Sequence, residues 1–289
     1  MTTLFWSAMG GILRRVRAWP RGEIDYREGV SRLDAALLFG AGLPLLVAIL
    51  AVADARGRFS RDLFPTPLRK AAALALLFLV LVATVILPAA ETGIAIDTSR
   101  LSFGGVFLLQ GLLTAFLASW WLLAGRPPLA EFLALRSERP LAEAGAGVCL
   151  GLIGWVLTLV VALVFGVTFR LFDLRGPEAA PQLVQWIAQL SVAKRLVIVA
   201  CAMTVEEFHF RAFLQRRLGA VPASIFFLLA HAGYGEPFFF VGLLAITVVI
   251  AAAFQRTGTI WAPMLAHGTF NAIQLFIFLP GALRFLQGK

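Results

Sequence analysis

The sequence predicts an all-α, polytopic membrane protein, folded as a transmembrane helix bundle of about eight helices. Composition is the first observation behind this prediction, because 60% of the 289 residues are hydrophobic and only 14% are charged. An ordinary soluble domain has about 45–50% apolar and about 25% charged residues. With only two cysteines, the composition excludes a soluble enzyme, a disordered chain and a disulfide scaffold.

The length of the apolar runs is the second observation. The runs are long enough to cross a bilayer core of roughly 30 Å, and the period-2 alternation of a membrane β-barrel is missing. The predicted spans are residues 35–53, 71–89, 103–124, 145–167, 196–218, 220–234, 238–254 and 258–279.

Three regions are predicted along the chain. Residues 1–33 are predicted to be an interfacial amphipathic segment, because its arginines follow its apolar residues, unlike the order in a secretory signal. Residues 34–190 contain the first four spans and a helix lying on the membrane surface. Residues 191–289 contain the remaining four spans.

The net charge of +9 does not predict nucleic-acid binding. The basic residues lie mostly between apolar runs, where the headgroups of anionic membrane lipids are the expected partners. They divide almost equally between the two sides of the predicted bundle, so the positive-inside rule predicts no orientation. Arginine greatly outnumbers lysine, which favours a bacterial source and therefore a bacterial inner (cytoplasmic) membrane.

Two features of the early spans predict packing and placement. Gly147 and Gly151 form a GxxxG pattern, which lets the backbones of two membrane helices approach closely. Trp120 and Trp121, near the end of the third span, are predicted to be anchors at the membrane interface.

Ionisable residues within the spans are concentrated in the fifth one. CAMTVEEFHFRAFLQRRL contains Glu206, Glu207, His209 and Arg211 within one and a half turns. A charge at the bilayer centre costs about 2.5–3.5 kcal/mol on insertion scales, so such a cluster indicates a functional site. The three histidines of the chain all lie in this segment or after it.

The spacing of these residues predicts that they converge. Glu207 and Arg211 lie four residues apart on one helix face. Glu206 and His231 lie 13 and 12 residues from the turn at Gly219, which places both roughly 18–20 Å from it at 1.5 Å per residue.

The eighth span adds two further polar side chains. His267 and Asn271 are also four residues apart, at a level within about one helical turn of the others, a mismatch that helix tilt absorbs. A shielded carboxylate beside an imidazole can take a proton from water, and an imidazole with an amide suits a developing oxyanion. The residues therefore predict hydrolysis of a peptide or another acyl bond by an activated water.

Three short motifs resemble those of a known family. EEFHFRAFL from Glu206 is similar to the EExxxR motif of the CPBP intramembrane endopeptidases (the Abi family), which include the type II CAAX prenyl proteases. FLLAH, ending at His231, resembles the FxxxH motif of that family, and HGTFN, from His267 to Asn271, resembles its HxxxN motif. The motifs occur in the family's order, although Ala212 replaces a frequent glycine.

The resemblance implies an eight-helix bundle in which residues 191–289 are the catalytic helices. It implies a glutamic endopeptidase that cuts a membrane-associated peptide or protein without a cofactor. Glu206 would be the general base, paired with His231 in activating water. The other expected site residues are Glu207 and Arg211, which would orient the base, and His267 and Asn271, which would form the oxyanion site.

Other interpretations remain open at this stage. The same bundle could be a non-catalytic scaffold, immunity factor or regulatory protein, or a proton-coupled transporter. A metalloprotease is a further alternative, in which Glu206, His231 and His267 would bind zinc. His209 is interpreted as structural or peripheral, because a di-iron site needs a second Glu-x-x-His, which the sequence lacks.

Overall fold

The computed structural model describes residues 38–59, 64–90, 102–172, 182–232 and 237–281. Every regular element within these ranges is a helix. The all-α prediction is therefore confirmed. The amphipathic segment predicted at residues 1–33 lies outside the described residues.

Eight helices coincide with the predicted spans, and we number them in chain order. They are α1 (Leu43–Ala55), α2 (Pro67–Leu81), α3 (Leu108–Leu123), α4 (Pro140–Leu171), α5 (Val192–Cys201), α6 (Ala220–Ala230), α7 (Pro237–Thr257) and α8 (Trp261–Ile273). A short helix, Leu129–Phe132, lies between α3 and α4, and Gln182–Gln189 is helical where the surface helix was predicted.

Several helices continue as π-helix. Val82–Ile86 extends α2, and Gln274–Phe278 extends α8. After α5, the π-helical segments Ala202–Glu206 and Phe208–Gln215 carry the helical path on to Leu218. We call residues 202–215 the π segment; it contains the whole cluster of ionisable residues predicted to form the site.

Five helical stretches are long and apolar enough to cross a membrane. They are Pro67–Ala89, Gly105–Leu123, Pro140–Leu171, Phe240–Thr257 and Trp261–Gly281. Two further apolar helices, Phe39–Ala55 and Ala220–Ala230, are shorter. The α5 path is long, but it contains three charged residues near its middle. The chain is therefore an integral membrane protein.

The helix α6 is shorter than the span predicted for it. It ends at Ala230 rather than at residue 234, and its 11 residues rise only about 16 Å, roughly half of a bilayer core. His231 follows its last residue directly, so the short helix ends at a site residue.

Helix α8 packs along α4, and α7 packs against both of them. Glycines make the α4–α8 contact possible: a Cβ built on Gly147 would lie 2.5 Å from the carbonyl oxygen of Ala262, and one on Gly151 would lie 2.6 Å from that of Ala266. The GxxxG pattern is therefore a packing interface, as predicted. Because Ala266 precedes His267, this interface sets the position of a site residue.

A cluster of aromatic side chains fills the bundle beside the site. Trp120 is 1% exposed, and its ring lies 4.7 Å from that of Phe213 and 5.4 Å from that of Phe64, measured between centroids. The prediction that Trp120 anchors at the membrane interface is therefore wrong. Its indole faces the interior, where the aromatic side chains of α3 and the π segment meet, and a sequence motif at the end of a span does not reveal which way a side chain faces.

Candidate active site

Glu206 lies at the end of the first part of the π segment and is buried. Its Oε1 accepts a hydrogen bond of 2.7 Å from Nε2 of Gln110 on α3. Its Oε2 is buried without a hydrogen-bond partner and lies 3.9 Å from Nε2 of His231. The two carboxylate oxygens therefore differ, since one is held by an amide and the other faces an imidazole.

His231 is oriented by the end of α6. Its Nδ1 lies 2.8 Å from the carbonyl oxygen of Phe227, and because a carbonyl can only accept, Nδ1 carries the hydrogen. In the neutral ring, Nε2 is then an acceptor directed toward Glu206. A separation of 3.9 Å is too long for a direct hydrogen bond, but it lets one water molecule contact both atoms.

Glu207 links two other site residues. Its Oε2 accepts a bond of 3.3 Å from Nε of Arg211, and its Oε1 lies 2.8 Å from Nδ1 of His267. The side chains of Glu207 and Arg211 are fully buried, and that of His267 is 7% exposed. The carboxylate therefore fixes both the orientation of the His267 ring and the nitrogen that carries its hydrogen.

Asn271 follows His267 by four residues on α8 and is partly exposed. The helical spacing places both residues on one face. The ring of His267 gives one nitrogen to Glu207, so its Nε2 remains available on the same face as the amide.

Phe227 lies between the two histidines. Its ring centroid lies 4.6 Å from that of His231 and 5.9 Å from that of His267. The guanidinium carbon of Arg211 lies 5.1 Å above the same ring, within the range of a cation–π contact. The aromatic residue of the FLLAH sequence thus contacts both imidazole rings and the guanidinium of the buried ion pair.

The π segment explains why the glutamates and His209 face different surroundings. A π-helix has about 4.4 residues per turn, so side chains three residues apart point about 115° apart around the helix axis. Side chains four residues apart point only about 35° apart, which keeps them on one face. Glu207 and Arg211 therefore remain paired. His209 diverges from Glu206 and is fully buried, with its ring 5.4 Å from that of Phe116 and 6.0 Å from that of Phe213.

Within the part of the chain that the structure describes, no three His, Cys, Asp or Glu side chains are grouped so that they could hold a metal ion. The zinc set considered from the sequence was Glu206, His231 and His267. Nδ1 of His267 is bound to Glu207, so only Nε2 of that ring could bind a metal ion.

One contact of the site was missed by sequence reasoning. Gln110 was not among the predicted site residues, because the search along the spans looked for ionisable groups. A signal was present, since a glutamine in the apolar run LLQGLLTAFL is itself unusual. A buried amide in a membrane helix needs a polar partner, but the sequence does not say which one.

The comparisons with known proteins give a family match for part of the chain. Residues 188–273 match the model of the family described as Type II CAAX prenyl endopeptidase Rce1-like. No curated protein and no solved structure matches the chain. All six residues predicted from the three motifs lie within the matched segment. Residues 188–273 are therefore similar to the Rce1-like type II CAAX prenyl endopeptidase family.

Proposed function

We propose that this protein is an intramembrane endopeptidase that hydrolyses a peptide bond with a water activated by Glu206 and His231. One observation carries the proposal: Oε2 of Glu206 and Nε2 of His231 come within 3.9 Å of each other in the interior of the bundle. The carboxylate oxygen has no hydrogen-bond partner, and both atoms can accept a hydrogen from the same water molecule.

The first chemical step follows from that arrangement. Oε2 of Glu206 takes a proton from the water while the water oxygen bonds to the carbonyl carbon of the substrate. Nε2 of His231 accepts a hydrogen bond from the second hydrogen, which stays on the water oxygen, and so directs a lone pair of that oxygen at the carbon. The carbonyl π bond opens, and its electron pair goes to the oxygen, which becomes an oxyanion.

In the proposed mechanism, Nε2 of His267 and the side-chain amide of Asn271 donate to that oxyanion. Donation from Nε2 requires the imidazolium form, because Nδ1 also carries a hydrogen. The carboxylate of Glu207 stabilises this positive charge at 2.8 Å. When the tetrahedral intermediate collapses, Glu206 returns its proton to the leaving nitrogen and the C–N bond breaks.

The surroundings of the site support a substrate class. The bundle is an integral membrane protein with its polar groups inside, so we propose a membrane-associated peptide or protein as substrate and membrane lipids as the other partners. The arginine-rich composition supports a bacterial inner membrane as the location.

The test is the hydrolysis of a panel of membrane peptides, prenylated and unprenylated, by detergent-purified protein. Glu206→Gln removes the base, so we expect cleavage to fall by about 10²- to 10⁴-fold, the range typical of general-base catalysis. The matched control is Glu138→Gln, because Glu138 is an exposed carboxylate far from the site in sequence and should leave cleavage unchanged.

A chelator gives an independent reading of the same assay. The proposed mechanism uses no metal ion, so we expect wild-type cleavage to persist in the presence of the chelator. Loss of cleavage on chelation would contradict the mechanism. Full activity of the Glu206→Gln variant, or no cleavage of any peptide by the folded wild-type protein, would count against the proposed function.

A further inference from the structure

Among the described residues, the amide of Gln110 makes the one hydrogen bond between the side chain of Glu206 and the first half of the chain. Gln110 lies on α3, outside the segment that matches the family, and is 96 residues from Glu206 in sequence. Its Nε2 donates to Oε1 of Glu206 at 2.7 Å. This is the length of a charge-assisted hydrogen bond, the stronger class in proteins.

The contact determines which oxygen of the carboxylate can act as a base. An ionised carboxylate accepts hydrogen bonds but donates none, so the amide must present Nε2 to it. With Oε1 occupied, the carboxylate plane is fixed, and Oε2 is left without a partner beside His231. Without the amide, the carboxylate could rotate and a buried oxygen would lose its hydrogen bond.

We propose that Gln110 is a positioning residue that holds Glu206 so that Oε2 alone faces the reacting water. The inference rests on the proposed hydrolytic function of Glu206. It also means that the site is completed by a helix that does not belong to the family-matched segment. Gln110 does not contact the substrate; it acts through the carboxylate.

The kinetic test uses Gln110→Met, which keeps the length and apolar volume of the side chain but removes the donor. Losing a hydrogen bond to a charged group corresponds to a decrease in kcat of about 10- to 100-fold. We expect KM to change little, because the substrate does not touch Gln110. The matched control is Gly111→Ala, since a Cβ at Gly111 meets nothing within 4 Å and should preserve kcat.

Three outcomes of this experiment would overturn the inference. An unchanged kcat in Gln110→Met, with wild-type protein active, would show that the amide does not position the base while leaving the proposed function intact. A rise in KM at constant kcat would place Gln110 in substrate binding instead. A further loss of kcat when Gln110→Met is added to Glu206→Gln would mean that the amide does not act through Glu206.

A second measurement keeps the contact testable if no peptide is cleaved. The variants Gln110→Met, Glu206→Met and their combination form a double-mutant cycle on thermal unfolding in detergent. If the amide holds the carboxylate, Gln110→Met lowers Tm in the wild-type background and by clearly less in the Glu206→Met background. Equal decreases in both backgrounds would show that the two side chains are not coupled, and the inference would fail whatever the protein hydrolyses.

Discussion

Glu206 and Glu207 are neighbours in sequence, but their carboxylates differ in their hydrogen-bond partners. Glu207 is fully buried and has each of its oxygens bound, one to Arg211 and one to His267. Glu206 keeps one oxygen without a hydrogen-bond partner. A carboxylate that is fully bound can orient other groups, whereas one with a free oxygen can accept a proton.

The buried pair of Glu207 and Arg211 makes a prediction at the residue scale. Glu207→Met leaves the guanidinium buried without its partner, so we expect the free energy of unfolding to fall by about 3–5 kcal/mol. The double variant Glu207→Met/Arg211→Met removes both charges and should recover part of that loss. Unfolding in mixed micelles measures both variants.

The opposite order of stability would contradict this reading of the pair. If the double variant is less stable than Glu207→Met, the guanidinium is stabilised by other groups and its link to Glu207 is not the main one. Hydrolysis should remain low in both variants, because His267 loses the carboxylate that orients its ring.

At the scale of the element, the π segment positions the two glutamates, and Gly147 and Gly151 of α4 position α8. The i,i+4 pairing of Glu207 with Arg211 was predictable, because four residues bring side chains back to one face in both α- and π-helices. The separation of His209 from Glu206 depends on the wider turn. No periodicity of hydrophobic residues in the sequence indicates that turn.

The α4–α8 interface gives the prediction at this scale. In Gly151→Ala the new Cβ would lie 2.6 Å from the carbonyl oxygen of Ala266 and 2.7 Å from Cβ of Thr269. We expect a loss of about 1–3 kcal/mol from overpacking and a lower kcat, because α8 must shift and carries His267 with it. Thermal unfolding and peptide hydrolysis measure the two effects.

The control for this variant is Gly166→Ala on the same helix. A Cβ at Gly166 meets nothing within 4 Å, and alanine favours the helix by up to about 1 kcal/mol over glycine. We therefore expect unchanged activity and equal or greater stability. If Gly151→Ala behaves like this control, α4 does not fix the position of α8.

At the scale of the whole molecule, the site depends on both halves of the chain. The family match covers residues 188–273, but Gln110 reaches Glu206 from α3, and α8 rests on the glycines of α4. The matched segment therefore contains the reactive groups without the helices that hold two of them in place.

A split protein tests this dependence. Membrane helices insert individually and then associate through packing and polar contacts. We expect residues 177–289 expressed alone to lack hydrolytic activity, and co-expression with residues 1–176 to restore it. Co-purification of the two fragments and peptide hydrolysis measure the outcome, and full activity of the C-terminal fragment alone would show that the first half is dispensable.

The sequence by itself determined the class of the protein and indicated most of the candidate site residues. Composition and the length of the apolar runs specify membrane helices, because a bilayer requires about 20 apolar residues per crossing helix. The pairs four residues apart, Glu207 with Arg211 and His267 with Asn271, follow from helix geometry. Charged groups in apolar spans indicate a functional site, because placing a charge inside the bilayer costs free energy.

Only the tertiary structure decided which partners these groups have. His267 binds Glu207 rather than Glu206, and Gln110 binds Glu206. Both contacts depend on the rotation and depth of helices that are far apart in sequence. The inward direction of the Trp120 side chain likewise depends on the rotation of α3. The local sequence specifies each helix. The rotation of a helix about its own axis is set by packing against neighbouring helices, which the local sequence does not predict.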